Sequence, residues 1–417
     1  MSSFIINGGK HLVGEKTVTG AKNGILPLLA ATYLCDGKVT IHNCPELTDV
    51  STSIGILKHL GCKCSREKSV LTVDSLGSDG FIIPERLMRE MRSSIVFLGA
   101  VAAKCGKAVM SLPGGCELGP RPIDIHIDAL KRLGADIEFT NGQIICNMPE
   151  PTGDCNIHLN FPNVGATENI ILAASKGKGT TVVHNAAREP EIKDLAGMLN
   201  SAGADIKGAG TSTVLIKGVN KLHGTEHTVM PDRIVAASYL FAVAMCKGKI
   251  TLNNIIPEHI VPFTSCLYDC GCEVKLGESS VFLKSGGTLK NFDSITTQPF
   301  PGFPTDAGPA LVAAASVFKG TGVFVENIFD SRFRYIGELS RLGANIRTVG
   351  RTAVITGVKR LHGAQVTAHD LRGGAALVSA SMAADGQTEI NNIEFIDRGY
   401  EHIEDMFSSL GADIKRC

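Results

Sequence analysis

The stretch from Ser111 to Asp124, read SLPGGCELGPRPID, combines residue types that could do chemistry. Glycine frees the backbone for positive φ and for close approach to a ligand, and proline stiffens what glycine loosens. A stretch so rich in both is neither a helix nor a central strand, so we expect a shaped loop. Its thiol, Cys116, can donate a proton or act as a nucleophile, and its guanidinium, Arg121, can bind phosphate or carboxylate. A turn with a buried structural cysteine is the alternative explanation.

A second set of polar residues stands at the starts of predicted helices. Some are carboxylates, which are ordinarily favoured at N-caps. Others are cations, which oppose the helix dipole. Together the cations indicate a convergent site for a small anionic ligand, while a solvated surface explains each of them taken singly. The cations are Lys22, Arg92, Arg233 and Arg372, and their polar neighbours are Asn23, Asn163, Asp232, Thr305, Asp306 and Asp370. Arg332 and Arg398 follow predicted strands in a similar way.

A repeat of about 70 residues must position these side chains. Each copy has an Ala-rich segment of helical length, a Gly-led strand, a second helix and a Gly-small turn before another strand. The turn glycines are Gly61, Gly134, Gly203, Gly271, Gly343 and Gly411. The Ala-rich segments are 20–31, 91–103, 164–175, 231–245, 303–316 and 371–384. This spacing is too long for a solenoid and suits six small α/β units.

A coarser repeat divides the six units into three and three. The segment Gly218 to Gly224 (GVNKLHG) recurs as Gly357 to Gly363 (GVKRLHG). We therefore expect two similar globular halves that meet across a cleft, with the N-terminal strand beside the later half. The repeat also explains the cysteine pairs at 62/64 and 270/272, which replace apolar residues at the turns, so core packing is favoured over a metal site.

Composition narrows the class of protein. The 417 residues carry 41 basic and 41 acidic side chains, and this balance argues against non-specific nucleic-acid binding. The chain has neither the pattern of a signal peptide nor an apolar run of about 20 residues, so we expect a cytoplasmic protein without a membrane partner. The 13 cysteines do not resemble a disulfide scaffold. No phosphate-loop or dinucleotide-binding motif is present, so we expect no nucleotide cofactor, and no residues have metal-ligand spacing.

Ordered motifs along essentially the whole chain resemble the UDP-N-acetylglucosamine enolpyruvyl transferases, of the EPSP synthase family. The motifs are GAKN (20–23), MRSS (91–94), LPGGC (112–116), RPID (121–124), VGAT (164–167), PDRI (231–234), PTD (304–306), DLR (370–372) and DRGY (397–400). The resemblance implies an α/β fold, a two-domain inside-out α/β barrel built from six βαβαββ repeats. It implies one enolpyruvyl transferase domain over 22–229, which carries the Cys116 loop, and a second over 1–21 together with 230–417.

The reaction implied by the resemblance moves the enolpyruvyl group of phosphoenolpyruvate to the sugar 3′-hydroxyl and releases phosphate. By resemblance Cys116 donates a proton to C3, and Asp306 accepts the hydroxyl proton. Cys116 is also the position that fosfomycin alkylates in the family. Lys22, Arg121 and Arg398 resemble the cationic cradle of the family, in which Lys22 and Arg398 stabilise the departing phosphate.

Further residues occupy the family's substrate-binding positions. They are Asn23, Arg92, Arg121, Pro122, Ile123, Asp124, Ile125, Asn163, Val164, Gly165, Asp306, Ile328, Arg332, Asp370 and Arg372. Two departures bear on substrate fit or rate: Ala307-Gly308 stands where the family usually has Met-Gln, and Asp330-Ser331 where it usually has Glu-Asn. They leave room for a secondary isozyme.

Two alternative functions remain at this point. The sister transferase of the shikimate pathway shares the fold and chemistry and takes a phosphorylated cyclic acceptor. A catalytically silent duplicate would bind UDP-sugar and regulate wall synthesis, but it predicts a lost Cys, Lys or Asp, and none is lost here.

Overall fold

The computed structural model describes residues 2–112, 123–149 and 154–417, apart from the side chain of Arg92. The strands are β1 (Ser3–Asn7), β2 (Val13–Thr17), β3 (Lys38–His42), β4 (Lys63–Glu67), β5 (Val70–Asp74), β6 (Ile82–Ile83), β7 (Lys107–Ser111), β8 (Asp136–Thr140), β9 (Gln143–Asn147), β10 (Cys155–His158), β11 (Thr180–His184), β12 (Asp205–Lys207), β13 (Thr213–Lys217), β14 (Glu226–Thr228), β15 (Lys249–Asn253), β16 (Glu273–Leu276), β17 (Ser280–Lys284), β18 (Ser294–Thr296), β19 (Thr321–Val325), β20 (Asn345–Val349), β21 (Thr352–Thr356), β22 (Gln365–Thr367), β23 (Gln387–Asn391) and β24 (Asp413–Arg416).

The α-helices are α1 (Lys22–Leu34), α2 (Thr48–His59), α3 (Glu85–Glu90), α4 (Phe97–Cys105), α5 (Asp124–Arg132), α6 (Val164–Ala174), α7 (Pro190–Ser201), α8 (Arg233–Met245), α9 (Pro257–Asp269), α10 (Gly308–Ala315), α11 (Arg334–Arg341), α12 (Leu371–Ala383), α13 (Glu394–Asp397) and α14 (Ile403–Ser408). Two 3-10 helices, Arg92–Val96 and Thr305–Ala307, precede α4 and α10.

The strands form four-stranded sheets that share one arrangement. In each sheet an outer strand pairs in parallel with a central strand, which pairs antiparallel with a third, and the third pairs antiparallel with a fourth. The sheets are β14-β3-β5-β4, β6-β7-β9-β8, β10-β11-β13-β12, β2-β15-β17-β16, β18-β19-β21-β20 and β22-β23-β1-β24. With the intervening helices, this arrangement confirms the sixfold α/β unit. The sixth sheet takes β1 as its third strand, so residues 3–7 complete a sheet otherwise built from 365–416.

The turn glycine explains why the same unit recurs. All six predicted turn glycines have φ between 92° and 104°, in the left-handed region that only glycine adopts without strain. Each lies just after a helix and reverses the chain into the following antiparallel strand. The repeated Gly-small sequence is therefore a backbone requirement of every unit.

The described residues divide into two compact units. Unit 1 contains 2–19 and 231–417, and unit 2 contains 20–112, 123–149 and 154–230. In unit 2 the helices α1, α4 and α6 pack on one another, and in unit 1 α8, α10 and α12 do so. These helices are apolar around nearly their whole circumference; every residue of α8 is buried. Such all-round burial is the property of a core helix, and it accounts for the Ala-rich segments of the sequence.

Gly308 packs closely against the ring of Phe324. A Cβ at Gly308 would lie 2.7 Å from Cζ of the Phe324 ring, which is fully buried. The aromatic ring therefore leaves no space for a side chain at position 308.

Gly308→Ala is expected to lower the free energy of unfolding by about 1–3 kcal/mol, because the buried ring cannot move aside without strain. Gly337 provides a matched control, since it lies inside α11 and no atom of a neighbouring element lies within 4 Å of the point that a Cβ would occupy there. Gly337→Ala should raise the free energy of unfolding by about 0.5–1 kcal/mol through helix propensity. Chemical denaturation of both variants measures the two changes, and equal effects would contradict the packing argument.

Candidate active site

Asp306 is held between two arginines in unit 1. It lies in the 3-10 helix before α10, and its Oδ1 accepts a hydrogen bond from Nη2 of Arg332 at 3.1 Å. Its Oδ2 accepts from Nε and Nη2 of Arg372, both at 3.3 Å. The two arginine side chains are 2% and 3% exposed, whereas the Asp306 side chain is 26% exposed. Two buried guanidinium groups thus orient the carboxylate, which remains accessible to a substrate.

The arginines are themselves held by their neighbours. Arg332 also donates to the carbonyl of Thr305 at 3.1 Å. The guanidinium of Arg372 lies 5.3 Å from the centre of the Tyr400 ring, in cation–π geometry. The Tyr400 hydroxyl lies 2.7 Å from Oγ of Ser238. Both guanidinium groups are therefore fixed before any ligand binds.

Electrostatics favours the charged form of both arginines. Burial by itself lowers the pKa of the Arg332 guanidinium, but the carboxylates of Asp306 and Asp370 outweigh it, so the pKa is raised above its ordinary value. Burial also lowers the pKa of Arg372, and Tyr400 and Asp306 outweigh it there, with the same net direction. The two cations persist at any working pH.

The other carboxylates at helix starts have the ordinary role. Asp232 caps α8, where its Oδ1 accepts from the backbone N–H groups of residues 234 and 235. Asp370 caps α12, where its Oδ1 accepts from the N–H groups of residues 372 and 373. Asp306 differs, since its carboxylate oxygens accept hydrogen bonds from the two guanidinium groups. Arg233, one of the four cations at helix starts, packs 5.7 Å from the centre of the Phe300 ring.

In unit 2 the first residue of α1, Lys22, forms an ion pair. Its Nζ lies 3.0 Å from Oδ2 of Asp49, in the first turn of α2, and the Asp49 side chain is 1% exposed. The Lys22 side chain is 11% exposed. The pair fixes the ammonium group at the helix start, and Asn23 follows it as the next residue of the helix.

Two distant segments of unit 2 are brought together by His126. Its Nδ1 lies 2.8 Å from Nδ2 of Asn169, which joins α5 to α6. A Cβ at Gly165 would lie 2.9 Å from Cε1 of the same ring. The predicted binding segment 123–125 therefore lies beside the predicted segment 163–165. Asn163 caps α6, since its Oδ1 accepts from the N–H of residue 166 at 2.8 Å.

For the other predicted site residues, the structure gives a position in the fold. Arg398 ends the short helix α13 and is half-buried, and Ile328 lies between β19 and α11. Arg92 begins the 3-10 helix before α4. Cys116, Arg121 and Pro122 lie outside the described residues.

Two carboxylates, one in each unit, lie beside predicted site residues and were not predicted from the sequence. Asp49 stands in the first turn of a helix, where an acid is ordinarily explained by the helix dipole. Glu326 follows strand β19, and its carboxylate accepts a hydrogen bond of 2.7 Å from Oγ1 of Thr305, the residue before Asp306. The signal that could have marked Glu326 is its position directly after a central strand, where four other sheets have an asparagine: Asn43, Asn185, Asn254 and Asn392.

In the described part of the chain, no three His, Cys, Asp or Glu side chains are grouped so that they could hold a metal ion. Within the same ranges, no helix combines the length and apolar character needed to cross a membrane.

The repeated four-stranded sheets and the carboxylate held by two buried arginines define a class, that of internally repeated α/β proteins with a preorganised charged site. The model of the EPSP synthase family (3-phosphoshikimate 1-carboxyvinyltransferase) matches residues 6–407. The chain belongs to this family.

Similar proteins specify the branch more closely. The chain is 51% identical over 416 residues to UDP-N-acetylglucosamine 1-carboxyvinyltransferase 2 of Caldanaerobacter subterraneus subsp. tengcongensis, with 100% of both chains covered. It is 43% identical to UDP-N-acetylglucosamine 1-carboxyvinyltransferase of Myxococcus xanthus, with 100% of this chain and 99% of that one covered. The enolpyruvyl transferase NikO from Streptomyces tendae has the same fold, with a TM-score of 0.90 at 24% identity over 100% of this chain and 98% of that one.

Proposed function

We propose that this chain transfers the enolpyruvyl group of phosphoenolpyruvate to the 3′-hydroxyl of UDP-N-acetylglucosamine and releases phosphate, in the first committed step of peptidoglycan synthesis. The observation that carries the proposal is the Asp306 carboxylate, fixed by Arg332 and Arg372 and still accessible. Full-length relatives at 43% and 51% identity that bear the name of this activity support it. The cytoplasm, where both substrates are expected, is the proposed location.

The proposed first step is an addition. Cys116 gives its proton to C3 of phosphoenolpyruvate, whose methylene becomes a methyl group. Asp306 takes the proton of the 3′-hydroxyl, whose oxygen bonds to C2 and forms a tetrahedral ketal. An accessible carboxylate suits this role because a base must reach the hydroxyl while its own orientation stays fixed.

The proposed second step is an elimination. The C2–O bond to phosphate breaks, the Cys116 thiolate takes a proton back from C3, and the double bond re-forms on the transferred group. The proton held by Asp306 goes to the departing phosphate, so both groups return to their starting states. The charge that develops on the departing phosphate requires cations, and Lys22 and Arg398 supply them, while Arg121 completes the cradle that binds phosphoenolpyruvate. The ion pair of Lys22 with Asp49 supports this assignment because it preorganises the ammonium group.

The remaining predicted residues are proposed to bind substrate. The adjacency of 123–125 and 163–165 supports one shared surface for the sugar nucleotide in unit 2, formed with Asn23, Arg92 and Pro122. In unit 1, Ile328 and Asp370 accompany the two arginines. We propose the two enolpyruvyl transferase domains as 22–229 and as 1–21 with 230–417. Small molecules are the proposed partners.

Release of inorganic phosphate from phosphoenolpyruvate tests the function. We expect release that depends on UDP-N-acetylglucosamine, together with a nucleotide product whose mass has grown by one enolpyruvyl group. The same assay with 3-phosphoshikimate tests the sister activity, which the description of the family model makes the second candidate. Release with 3-phosphoshikimate alone would replace the proposal, and binding of UDP-N-acetylglucosamine without release would identify a silent duplicate.

A further inference from the structure

The residue that follows the central strand has a recurring structural role. In four of the six sheets it is an asparagine with φ between 54° and 58°. Three of these donate their side-chain amide to the carbonyl of the residue after the parallel outer strand, at 2.7 to 2.9 Å. The three pairs are Asn43 with Val229, Asn185 with Leu159 and Asn254 with Val18. The contact joins the ends of two neighbouring strands.

Glu326 occupies this position in the fifth sheet and departs from the pattern. Glu326 as a whole is 1% exposed. Oε1 accepts from Oγ1 of Thr297 at 3.0 Å and from the N–H groups of Ile328 at 2.7 Å and Phe329 at 3.2 Å. Thr297 is the residue after the parallel strand β18, so the ends of the same two strands are joined, although the carboxylate here accepts from a hydroxyl where the asparagines donate to a carbonyl. Joining the two strand ends does not by itself require a carboxylate, because asparagine does so in three other sheets.

The second carboxylate oxygen makes the additional contact. Oε2 of Glu326 accepts from Oγ1 of Thr305 at 2.7 Å, and Thr305 directly precedes Asp306. The segment after Glu326 leads to Arg332, which returns to the carbonyl of Thr305 and to Oδ1 of Asp306, both at 3.1 Å. A closed circuit of hydrogen bonds therefore joins the turn that bears Asp306 to the segment that bears Ile328 and Arg332.

We infer that Glu326 is a positioning residue for the Asp306 base, and this inference rests on the proposed function. Its two oxygens fix, at the same time, the turn that carries the base and the segment that carries the arginine which orients it. A base displaced by about 1 Å loses about 10²-fold in rate, so this alignment has a large effect on turnover. Glu326 itself contacts neither reacting group in this assignment.

Thr305→Val tests the inference without removing a buried charge. Valine has nearly the shape of threonine and lacks the hydroxyl that reaches Glu326. We expect kcat to fall roughly 10- to 100-fold with KM for phosphoenolpyruvate changed less than about threefold. Thr305→Ser, which keeps the hydroxyl, should restore most of kcat.

Glu326 variants provide the second arm. Glu326→Gln can keep one carbonyl for Thr297 and the two N–H groups and turn its amide to Thr305, so it should keep kcat within about fivefold of wild type. Glu326→Ala should lose kcat as Thr305→Val does. Asn254→Gly is the matched control, because it breaks the equivalent strand-joining contact in the same unit and keeps the positive φ. We expect it to lower the melting temperature and leave kcat within about twofold.

The outcomes separate the two proposals. An active wild type whose Thr305→Val variant keeps wild-type kcat would overturn the positioning role alone. An equal loss of kcat in Thr305→Val and Thr305→Ser would also overturn it, since the hydroxyl would then be irrelevant. A wild type that releases no phosphate with UDP-N-acetylglucosamine would overturn the proposed function and this inference with it.

Discussion

Asp306→Asn is expected to slow phosphate release by about 10²- to 10⁴-fold, the usual range for the loss of a general base. The amide keeps the shape of the side chain but cannot take a proton from the acceptor hydroxyl. Steady-state turnover with saturating substrates measures the effect. A variant within a few-fold of the wild-type rate would contradict the assignment of Asp306 as the base.

The same substitution should also reduce stability. In the asparagine, an NH2 group replaces one of the two oxygens and must face a guanidinium that is itself a donor. Either Arg332 or Arg372 therefore loses its acceptor while it is buried. We expect the free energy of unfolding to fall by about 1–3 kcal/mol, less than at a fully buried pair because Asp306 is partly exposed.

Asp385→Asn is the matched control for Asp306→Asn. Asp385 pairs with Arg360, and their side chains are 57% and 75% exposed. An exposed ion pair contributes little, so turnover should stay within about twofold and the free energy of unfolding within about 0.5 kcal/mol. A similar loss of turnover in both variants would mean that removing any carboxylate of unit 1 disturbs the enzyme.

Lys22→Met is expected to lower turnover by about 10²- to 10³-fold, the effect of removing one preorganised group that stabilises transition-state charge. It should also destabilise unit 2, because the ammonium group 3.0 Å from the buried Asp49 carboxylate is lost. Phosphate release and thermal unfolding measure the two effects separately.

The double variant Lys22→Met with Asp49→Asn separates catalysis from folding. Neutralising the carboxylate removes the buried charge that Lys22 compensates, so the melting temperature should recover part of its loss. Turnover should remain as low as in Lys22→Met, because the missing cation is the catalytic one. Recovery of turnover together with stability would assign Lys22 a structural role only.

The repeated fold was predictable because one backbone requirement recurs. Every unit has a left-handed turn that requires glycine, at Gly61 and its five counterparts, so the repeat period can be read from the spacing of these glycines. The predicted limits of the helices were less accurate than the predicted repeat. The Ala-rich segment from Phe303 was expected to be a helix throughout, whereas the structure begins with a 3-10 turn at Thr305 after an extended Pro304. The helix expected to end at Ala31 continues to Leu34 because its last turn is buried.

The site was predictable residue by residue but not as an arrangement. The resemblance marked Asp306, Arg332 and Arg372, yet their contacts join segments 26 and 66 positions apart in the chain. Local sequence does not contain such distances. Asp49 escaped notice for a related reason, because its pairing with Lys22 depends on the packing of α1 against α2.

The placement of β1 has a consequence for synthesis of the chain. Residues 3–7 pair with 387–391 on one side and with 413–416 on the other, so both neighbouring strands are synthesised about 380 residues after β1. At ribosomal rates of about 5–20 residues per second, that interval is on the order of tens of seconds. The described residues of unit 2, which are 20–112, 123–149 and 154–230, all emerge long before then. Unit 2 can therefore fold on the ribosome while both edges of β1 are still unpaired. During this period the nascent chain is most exposed to wrong strand pairing.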